Sequence, residues 1–235
     1  MMSRVSTRQS ATETSPRGRL LQAAIRLLAA SGPEALQARR LAAEIGMSTM
    51  AVYTHFGGMG QLVTEIRREG FTRFGRRLEQ VPRGGDPVAD LLALGLAYRD
   101  WALGNSQLYR LMFGVSASDS RQGGKDPAAA AAAAPLPEGQ AAFAQLVTAV
   151  TRIMEAAGPG EEDPAAAAAQ LWSAVHGYVL LETAGFFGGG AGVQQFLLPL
   201  LTKLAAGIGA DPGHAARLIA AGRPEPGRAT GRSRP

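Results

Sequence analysis

The sequence predicts an all-α protein, and three observations support this fold class. Helix-forming residues dominate the chain, Ala and Leu above all, and 46% of all residues are hydrophobic. Apolar residues recur at intervals of three and four, and no stretch shows the sustained two-residue alternation of a half-buried strand. Asp-Pro pairs, which place a capping Asp before a helix-compatible Pro, recur in the second half. We therefore expect an N-terminal three-helix domain and a C-terminal helical bundle.

The first predicted helix follows a polar arm. Residues 1–15 are rich in Ser, Thr and Arg, so we expect them to be disordered. They contain no apolar segment, so we expect no signal peptide. A helix is predicted at 17–31, where Gly32-Pro33 supplies the stop signal. Its apolar stripe consists of Leu20, Leu21, Ala24, Leu27 and Leu28.

Residues 36–56 predict two short helices joined by a tight turn. The first ends at Gly46, which can adopt the left-handed conformation without a side-chain clash. Ser48 then fits the N-cap of the second helix. That helix, 49–56, turns Val52 and Phe56 inward and leaves small and hydrogen-bonding side chains exposed, a surface that suits the DNA major groove. The pattern is typical of a helix-turn-helix.

These residues also resemble a known family of regulators. RGRLLQAAIRLLAASG (17–32), RRLAAEIGMS (39–48) and AVYTHF (51–56), followed by Leu62, resemble the DNA-binding domain of TetR-type (tetracycline-repressor-like) transcriptional regulators. The chain departs from the family pattern at two positions. Gln37 stands where the family usually has Ser or Thr, and Met59 stands where it usually has Lys.

The resemblance implies roles for individual residues in DNA binding. Thr49 and Met50 are expected to reach base edges, with Met50 or Ala51 near a thymine methyl group. Phosphate contacts are expected from Tyr53, Thr54 and His55, helped by Arg39 and by Arg17 and Arg19 near the first helix, and Ser48 is also expected at the DNA interface.

The charge distribution agrees with a DNA-binding module at the N-terminus. Residues 1–83 carry 13 Arg against 6 acidic side chains, whereas residues 84–210 carry 6 basic against 11 acidic ones. A basic module beside an acidic body is typical of a DNA-binding domain joined to another domain. From charge alone, a solvated basic surface without a nucleic-acid partner is the alternative.

A long helix is predicted at 60–80, after the Gly57-Gly58 break. Its apolar stripe is formed by Leu62, Ile66, Phe71 and Phe74. Its arginines are expected on or beside the solvent face, with only the N-terminal end near DNA: Arg67, Arg68, Arg73, Arg76 and Arg77. A linker at 82–85 sets the expected domain boundary. The predicted organisation is an arm (1–15), a DNA-binding domain (16–82), a ligand-binding and dimerisation domain (83–210) and a disordered basic tail (211–235).

The C-terminal half is expected to contain five helices and one long loop. The Asp-Pro start signals are Asp86-Pro87, Asp126-Pro127, Asp163-Pro164 and Asp211-Pro212. The predicted helices lie at about 87–104, 106–113, 138–157, 164–187 and 193–209. Residues 115–137 are expected to form an irregular loop, and loops of that length inside a domain are usually mobile or functional.

The helix at 164–187 is apolar on nearly every side, which predicts burial on two faces. One face can pack on the protein's own core and the other on a second subunit. The helix at 193–209 is similarly apolar. Two such helices from each subunit would build a four-helix bundle across a two-fold axis, so we expect a homodimer.

A small-molecule site is predicted in the same half. Trp172, His176 and Gly177 (W-x3-H-G), together with YRDWALGNSQLYRLMF (98–113), resemble a subgroup of TetR-type C-terminal domains. Aromatic and Met side chains around few polar groups suit an apolar or aromatic ligand. A packed core without a cavity is the alternative. The candidate lining residues are Trp101, Tyr109, Met112, Phe113, Phe143, Met154, Trp172 and His176.

Several classes of function are disfavoured by what the sequence lacks. It has no Cys, no common catalytic or phosphate-binding motif, and no second ligand at metal spacing from any of its three His residues. No apolar run is long enough to span a membrane. We therefore expect neither enzymatic activity nor a bound metal or cofactor. We expect the protein to be located in the cytoplasm.

The predicted function is a ligand-responsive transcriptional regulator, expected to be a repressor. It would bind a palindromic double-stranded DNA operator as a homodimer and be released by a small-molecule effector. Two alternatives remain at this stage. One is an all-helical enzyme or small-molecule-binding protein that uses the C-terminal cavity. The other is a DNA-binding protein with a filled core and no ligand.

Overall fold

The all-α prediction is confirmed. The computed structural model describes residues 15–114, 136–158, 160–187 and 189–221, and within these ranges every regular element is helical. Residues 1–14 of the predicted arm and residues 115–135 of the predicted loop therefore lie outside the described residues. No described helix combines the length and the hydropathy needed to cross a bilayer.

The N-terminal helices lie close to their predicted positions. Ser15 caps the first helix, because its Oγ accepts a hydrogen bond from the Gly18 backbone N–H at 3.0 Å. A short 3₁₀ turn, Pro33–Ala35, precedes the helix-turn-helix. The helices are α1 Pro16–Ser31, α2 Ala38–Glu44, α3 Met50–Phe56 and α4 Met59–Glu79.

The C-terminal half contains more helical elements than the sequence predicted. They are α5 Pro87–Gly104, α6 Ser106–Met112, α7 Pro137–Ala157, α8 Pro164–Thr183, α9 Gly189–Gly192, a π turn Val193–Leu197, α10 Leu198–Gly207 and α11 Pro212–Ala220. The π turn lies just before Pro199, whose ring nitrogen cannot donate a hydrogen bond. At its C-terminal end, the N–H of Leu198 bonds to the Val193 carbonyl five residues earlier.

Three of the Asp-Pro start signals are confirmed. The Asp163 carboxylate accepts a bond from the Ala165 N–H at 3.1 Å, and Asp211 accepts from Gly213 at 3.0 Å. Asp86 accepts from the N–H groups of Val88 and Ala89 at the start of α5. Asp126-Pro127 lies outside the described residues.

Two element boundaries differ from the prediction. The tail expected to be disordered from residue 211 contains α11, because the Asp211 cap and the fixed Pro212 dihedral start a helix there. The helix predicted to reach residue 187 ends at Thr183, since Gly185 takes a left-handed φ of 88° that stops it.

The chain forms two compact units. The first consists of Met1–Gln80 and Ala97–Gln145, and the second of Val81–Leu96 and Leu146–Pro235. Helices α5 and α7 each contribute residues to both units. The division into a DNA-binding and a ligand-binding domain concerns function, and it stays a prediction.

The core of the first unit fixes the helix-turn-helix. Large side chains from each of the first four helices are completely buried: Leu20, Leu28, Leu41, Val52, Leu62 and Ile66. Burying one such side chain stabilises the fold by about 1.5–3 kcal/mol. The two short helices α2 and α3 therefore depend on packing against α1 and α4, because helices of this length are marginal alone.

The core of the second unit lies among α5, α8 and α10. Leu91, Leu171 and Leu201 are almost fully buried. Helix α10 approaches α5 closely, since a Cβ added at Gly95 would lie 2.6 Å from Leu201 Cδ1. Gly95 thus permits a helix contact that a larger residue would prevent.

Candidate nucleic-acid interface

The turn between α2 and α3 is built as the sequence predicted, except at its second helix cap. Gly46 has the left-handed φ of 65° that ends the first helix. The Ser48 carbonyl, however, accepts a bond from the Ala51 N–H at 3.0 Å, and α3 begins without a side-chain cap among the described residues. Because Thr49 has helical dihedrals, Ser48 stands at the predicted N-cap position, but the bond predicted for its hydroxyl is not among the hydrogen bonds of the described residues.

One face of α3 is packed and the other is exposed. Val52 and Phe56 are buried as predicted. Met50 is 64% exposed and Tyr53 is 52% exposed. Thr49 and Thr54 are also exposed, Ser48 is exposed beside them, and His55 is half-buried. The exposed face combines apolar and hydrogen-bonding groups, which is what reading a DNA groove requires.

Two predicted contacts of α3 need revision. Ala51 is only 8% exposed, because its methyl group lies on the packed side of the helix. The expectation that Ala51 approaches a thymine methyl group is therefore dropped, and Met50 remains. The Thr54 hydroxyl donates to the Met50 carbonyl at 2.9 Å, so it would have to give up that bond to donate to a phosphate.

The arginines near α3 divide into exposed and engaged side chains. Arg19 and Arg39 are exposed. Arg17 is exposed as well, but its guanidinium lies over the Phe56 ring at 4.8 Å from the ring centroid and forms an ion pair with Glu65 at 2.9 Å. At the two positions that depart from the family pattern, Gln37 precedes α2 without capping it, and Met59 begins α4 half-buried.

Arg67 corrects the prediction that the arginines of α4 lie on or beside the solvent face. It is 6% exposed, and its Nε and Nη2 both donate to the Met112 carbonyl at 3.3 Å. A guanidinium can be buried when its donors find acceptors, and the last turn of α6 supplies one. Arg68 and Arg76 are exposed, whereas Arg73 is half-buried and bonds to Glu69 and Gln22.

Six aromatic side chains form a cluster in the first unit. The Tyr98 and Tyr109 hydroxyls are 2.7 Å apart, and Tyr109 is completely buried. Burial raises the pKa of Tyr109 far above its ordinary value, and the neighbouring Tyr98 adds to this effect. The aromatic cluster comprises Phe71, Phe74, Tyr98, Trp101, Tyr109 and Phe113.

The structure brings together only part of the predicted ligand-lining set. Trp101, Tyr109 and Phe113 belong to the aromatic cluster. Three further members of the cluster were not in the predicted set: Phe71 and Phe74, which the sequence assigns to the apolar stripe of the helix at 60–80, and Tyr98, which begins the stretch 98–113. Met112 is buried on α6, and Phe143 is half-buried on α7. Met154, Trp172 and His176 are half-buried in the second unit.

His176 and Trp172 form a pair one turn apart on α8. Their ring centroids are 6.5 Å apart in an edge-on arrangement. Burial lowers the pKa of His176, because a charged imidazolium is poorly solvated there. His176 therefore favours its neutral form. The part of the chain that the structure describes contains no group of three or more His, Asp or Glu side chains that could hold a metal ion.

Comparisons with known proteins agree with this geometry. The family model described as bacterial regulatory proteins, tetR family, matches residues 20–66, and a tetracyclin repressor-like C-terminal domain matches residues 91–204. Together the two models span most of the chain, including the helix-turn-helix. The chain belongs to the TetR family. Members of this family are DNA-binding transcription regulators rather than enzymes. No curated protein matched the sequence.

Solved structures share the fold of this TetR-family protein over most of its length. A protein of unknown function from Rhodococcus sp. RHA1 is 26% identical, with a TM-score of 0.66, over 83% of this chain and 96% of that one. RolR in complex with resorcinol is 14% identical, with a TM-score of 0.62, over 92% and 98%. A transcriptional regulator from Rhodococcus sp. Rha1 is 23% identical, with a TM-score of 0.55, over 83% and 95%.

Proposed function

We propose that this TetR-family protein is a ligand-responsive repressor. It binds a palindromic operator in the cytoplasm as a homodimer and is released by a small apolar or aromatic effector. The exposed face of α3 carries the proposal, because it presents Met50 and Tyr53 on a helix whose other face is buried. Membership of the W-x3-H-G subgroup is part of the same proposal.

The division of labour on α3 follows from side-chain chemistry. Thr49 and Met50 read base edges in the major groove, with Met50 against a thymine methyl group. Tyr53, His55, Ser48 and Thr54 contact phosphates, helped by exposed arginines such as Arg39. Phosphate contacts supply affinity, whereas base contacts supply the preference for one sequence.

Exposed apolar residues support the homodimer. Phe186 is 73% exposed, and Leu181 and Phe196 are also exposed. Large apolar side chains exposed together near the end of α8 and at the start of the following helical segment favour burial against another chain. A two-fold arrangement would bring two recognition helices to the two halves of a palindrome.

The aromatic cluster supports the choice of effector class. An aromatic effector that carries hydroxyl groups would replace the bond between the Tyr98 and Tyr109 hydroxyls with bonds of its own and pack against the aromatic rings around them. RolR, which shares the fold, has been crystallised with resorcinol, an aromatic molecule that carries hydroxyl groups.

Arg67 offers a route for coupling effector binding to DNA binding, since it bonds α4 to the end of α6. An effector that binds more tightly when α4 lies away from its DNA-binding position weakens DNA binding. DNA then weakens effector binding by the same factor.

The proposal is tested by selecting DNA from a random pool with the purified full chain. We expect a palindromic consensus whose half-sites lie about one or two helical turns apart. Recovery of no preferred sequence at low ionic strength would overturn the proposal. Phenols, resorcinol among them, are then screened for release of the selected operator. If no compound in a broad screen releases it, the effector part of the proposal fails.

Two substitutions, one just before α3 and one on it, separate base readout from phosphate contact. We expect Thr49→Ala to change the preference at one operator position by about 1–3 kcal/mol. Tyr53→Phe removes one hydroxyl and should weaken operator and random DNA by a similar factor. Thr202→Ala, which loses a hydroxyl on α10, is the control and should change neither. Equal losses on operator and random DNA for Thr49→Ala would contradict its assigned role.

A further inference from the structure

The contacts of Arg17 differ from those expected of a residue that binds a DNA phosphate. Its guanidinium carbon lies 4.8 Å from the centre of the Phe56 ring, close enough for a cation–π interaction. Its Nη2 atom is 2.9 Å from a carboxylate oxygen of Glu65. One flat face and one edge of the guanidinium therefore contact groups of the protein itself.

Those two partners belong to different helices. Phe56 is the last residue of α3, where its ring is largely buried, and Glu65 lies in the second turn of α4. Arg17 is in the first turn of α1. One side chain thus joins α1, α3 and α4 at the C-terminal end of the recognition helix. Glu65 also accepts a bond from Arg68 at 3.0 Å, which fixes its carboxylate further.

Helix α3 needs such support. It has only 7 residues and begins without a side-chain cap. A helix this short has little stability alone, so its direction depends on what holds its ends. The Arg17 contact restrains the end that lies opposite Thr49 and Met50. A change of direction at that end would move those two side chains relative to the base pairs.

We infer that Arg17 is a positioning residue for sequence recognition, acting through Phe56 and Glu65 rather than by neutralising a phosphate. The inference rests on the proposed DNA recognition by α3. Arg17 is paired with Glu65, a carboxylate that it shares with Arg68, so Arg17 contributes less than an unpaired arginine to the attraction of the DNA backbone. Its loss affects the preference for the operator and leaves general DNA affinity nearly unchanged.

The dependence of binding on salt distinguishes the two roles. Each phosphate that a side chain neutralises adds about 0.9 to the slope of log affinity against log salt. A positioning residue does not alter that slope. The experiment measures operator and random-DNA affinities across a salt series for full-length wild type and for Arg17→Gln, Arg17→Lys, Glu65→Gln and the double variant R17Q/E65Q. Arg26→Gln, which removes an exposed charge from the same helix, is the matched control.

The expected result is a loss of preference without a change of slope. Because each contact is partly exposed and individually weak, Arg17→Gln should lower the ratio of operator to random-DNA affinity about threefold to tenfold. Glu65→Gln should give a similar loss, and the double variant should lose little more than either single variant. Arg17→Lys keeps the charge and should restore part of the preference, whereas Arg26→Gln should leave it unchanged.

Other outcomes overturn the inference. If Arg17 contacts a phosphate, Arg17→Gln should lose the same factor of affinity for operator and for random DNA. The slope of log affinity against log salt should then be smaller in magnitude by about 0.9. A phosphate contact would also make Glu65→Gln bind more tightly, with additive effects in the double variant. Unchanged binding by Arg17→Gln would equally refute a positioning role. Melting curves identify any unfolded variant, in which case Arg17→Lys and Glu65→Gln decide. A wild-type protein without sequence preference would instead refute the proposed function.

Discussion

Asp86 shows how one carboxylate can hold two parts of the second unit. It caps α5 through Val88 and Ala89, and its Oδ2 lies 2.7 Å from Nε2 of His214 on α11. Partial burial raises the pKa of Asp86, but the hydrogen bonds from Ala89, His214 and Val88 and the charge of His214 outweigh it, so the pKa lies below its ordinary value. The charged form of Asp86 therefore stabilises the fold.

This shift predicts a pH dependence with a definite sign. A carboxylate whose folded pKa is depressed contributes stability above its unfolded pKa, and this stability is lost as the pH falls through the folded value. We expect Asp86→Asn to reduce the free energy of unfolding by about 0.5–1 kcal/mol at pH 6. The difference from wild type should shrink below about pH 4.

Urea unfolding between pH 3 and pH 6 measures this effect. Asp163→Asn, at the N-cap of α8, is the control for losing a capping charge. A difference between wild type and Asp86→Asn that stays constant over the whole range would contradict the assigned role of the Asp86 charge.

Helices α4 and α6 pack more closely than side chains usually allow. A Cβ added at Gly70 would lie 2.7 Å from Met112 Sδ and 2.8 Å from Met112 Cγ. Met112 is almost fully buried and has little room to move. The same pair of helices is joined by the bond from Arg67 to the Met112 carbonyl. The absence of a side chain at Gly70 thus sets the distance at which that bond can form.

We expect Gly70→Ala to destabilise the protein, although Ala normally favours a helix by about 1 kcal/mol over Gly. The overpacking against Met112 should outweigh this gain and cost about 1–3 kcal/mol. Gly75→Ala on the same helix is the control, because its new Cβ would meet only ordinary contacts at 3.8 Å or more. Gly75→Ala should be neutral or stabilising in urea unfolding.

A second variant makes this prediction sharper. Met112→Ala removes the obstructing atoms, so adding Gly70→Ala to it should cost much less than in the wild type. Equal costs in the two backgrounds would mean that Met112 is not the obstacle.

Elements with strong local signals were predictable from sequence, but side-chain partners were not. Asp163-Pro164 and the Gly46 turn each rest on nearby chemistry, and both lie where expected. Arg67 was misplaced because its acceptor, the Met112 carbonyl, lies 45 residues away along the chain. The aromatic cluster was only half identified for the same reason, since Phe74 and Tyr98 meet across two helices.

At the scale of the whole molecule, the basic N-terminal and acidic C-terminal halves agree with the family membership. The two family models fall on the two sides of the predicted linker, at 20–66 and 91–204. The compact units divide the chain differently, because part of α5 and part of α7 pack with the N-terminal helices. Hydrophobic patterns identify helices well, but they do not indicate which helices pack together.

The proposed homodimer leads to a prediction about exposed apolar residues. We expect Leu181→Glu and Phe196→Glu to convert the protein to a monomer, because burying an unpaired charge in an interface is costly. The affinity for the operator should fall in these variants, because a monomer can contact only one half-site. Ala216→Glu, at an exposed position of α11, is the control and should remain dimeric.

Sedimentation at micromolar concentration, with and without operator DNA, checks this prediction. A wild-type protein that is monomeric in both conditions would refute the dimer. Dimers of both Glu variants would mean that the interface lies elsewhere on the molecule.

The π turn at Val193–Leu197 has a consequence for insertions and deletions in this family. A π turn accommodates one residue more than an α-helical turn, so removing one residue there would let the segment continue as a regular α-helix. The residues on either side would keep nearly the same orientation around the helix axis, because the wider turn already absorbs the extra residue. The stacking of Phe187 on Tyr178 would therefore survive the deletion. Loss of one residue within the regular helix α10 would instead rotate the residues before it by about 100° relative to those after it.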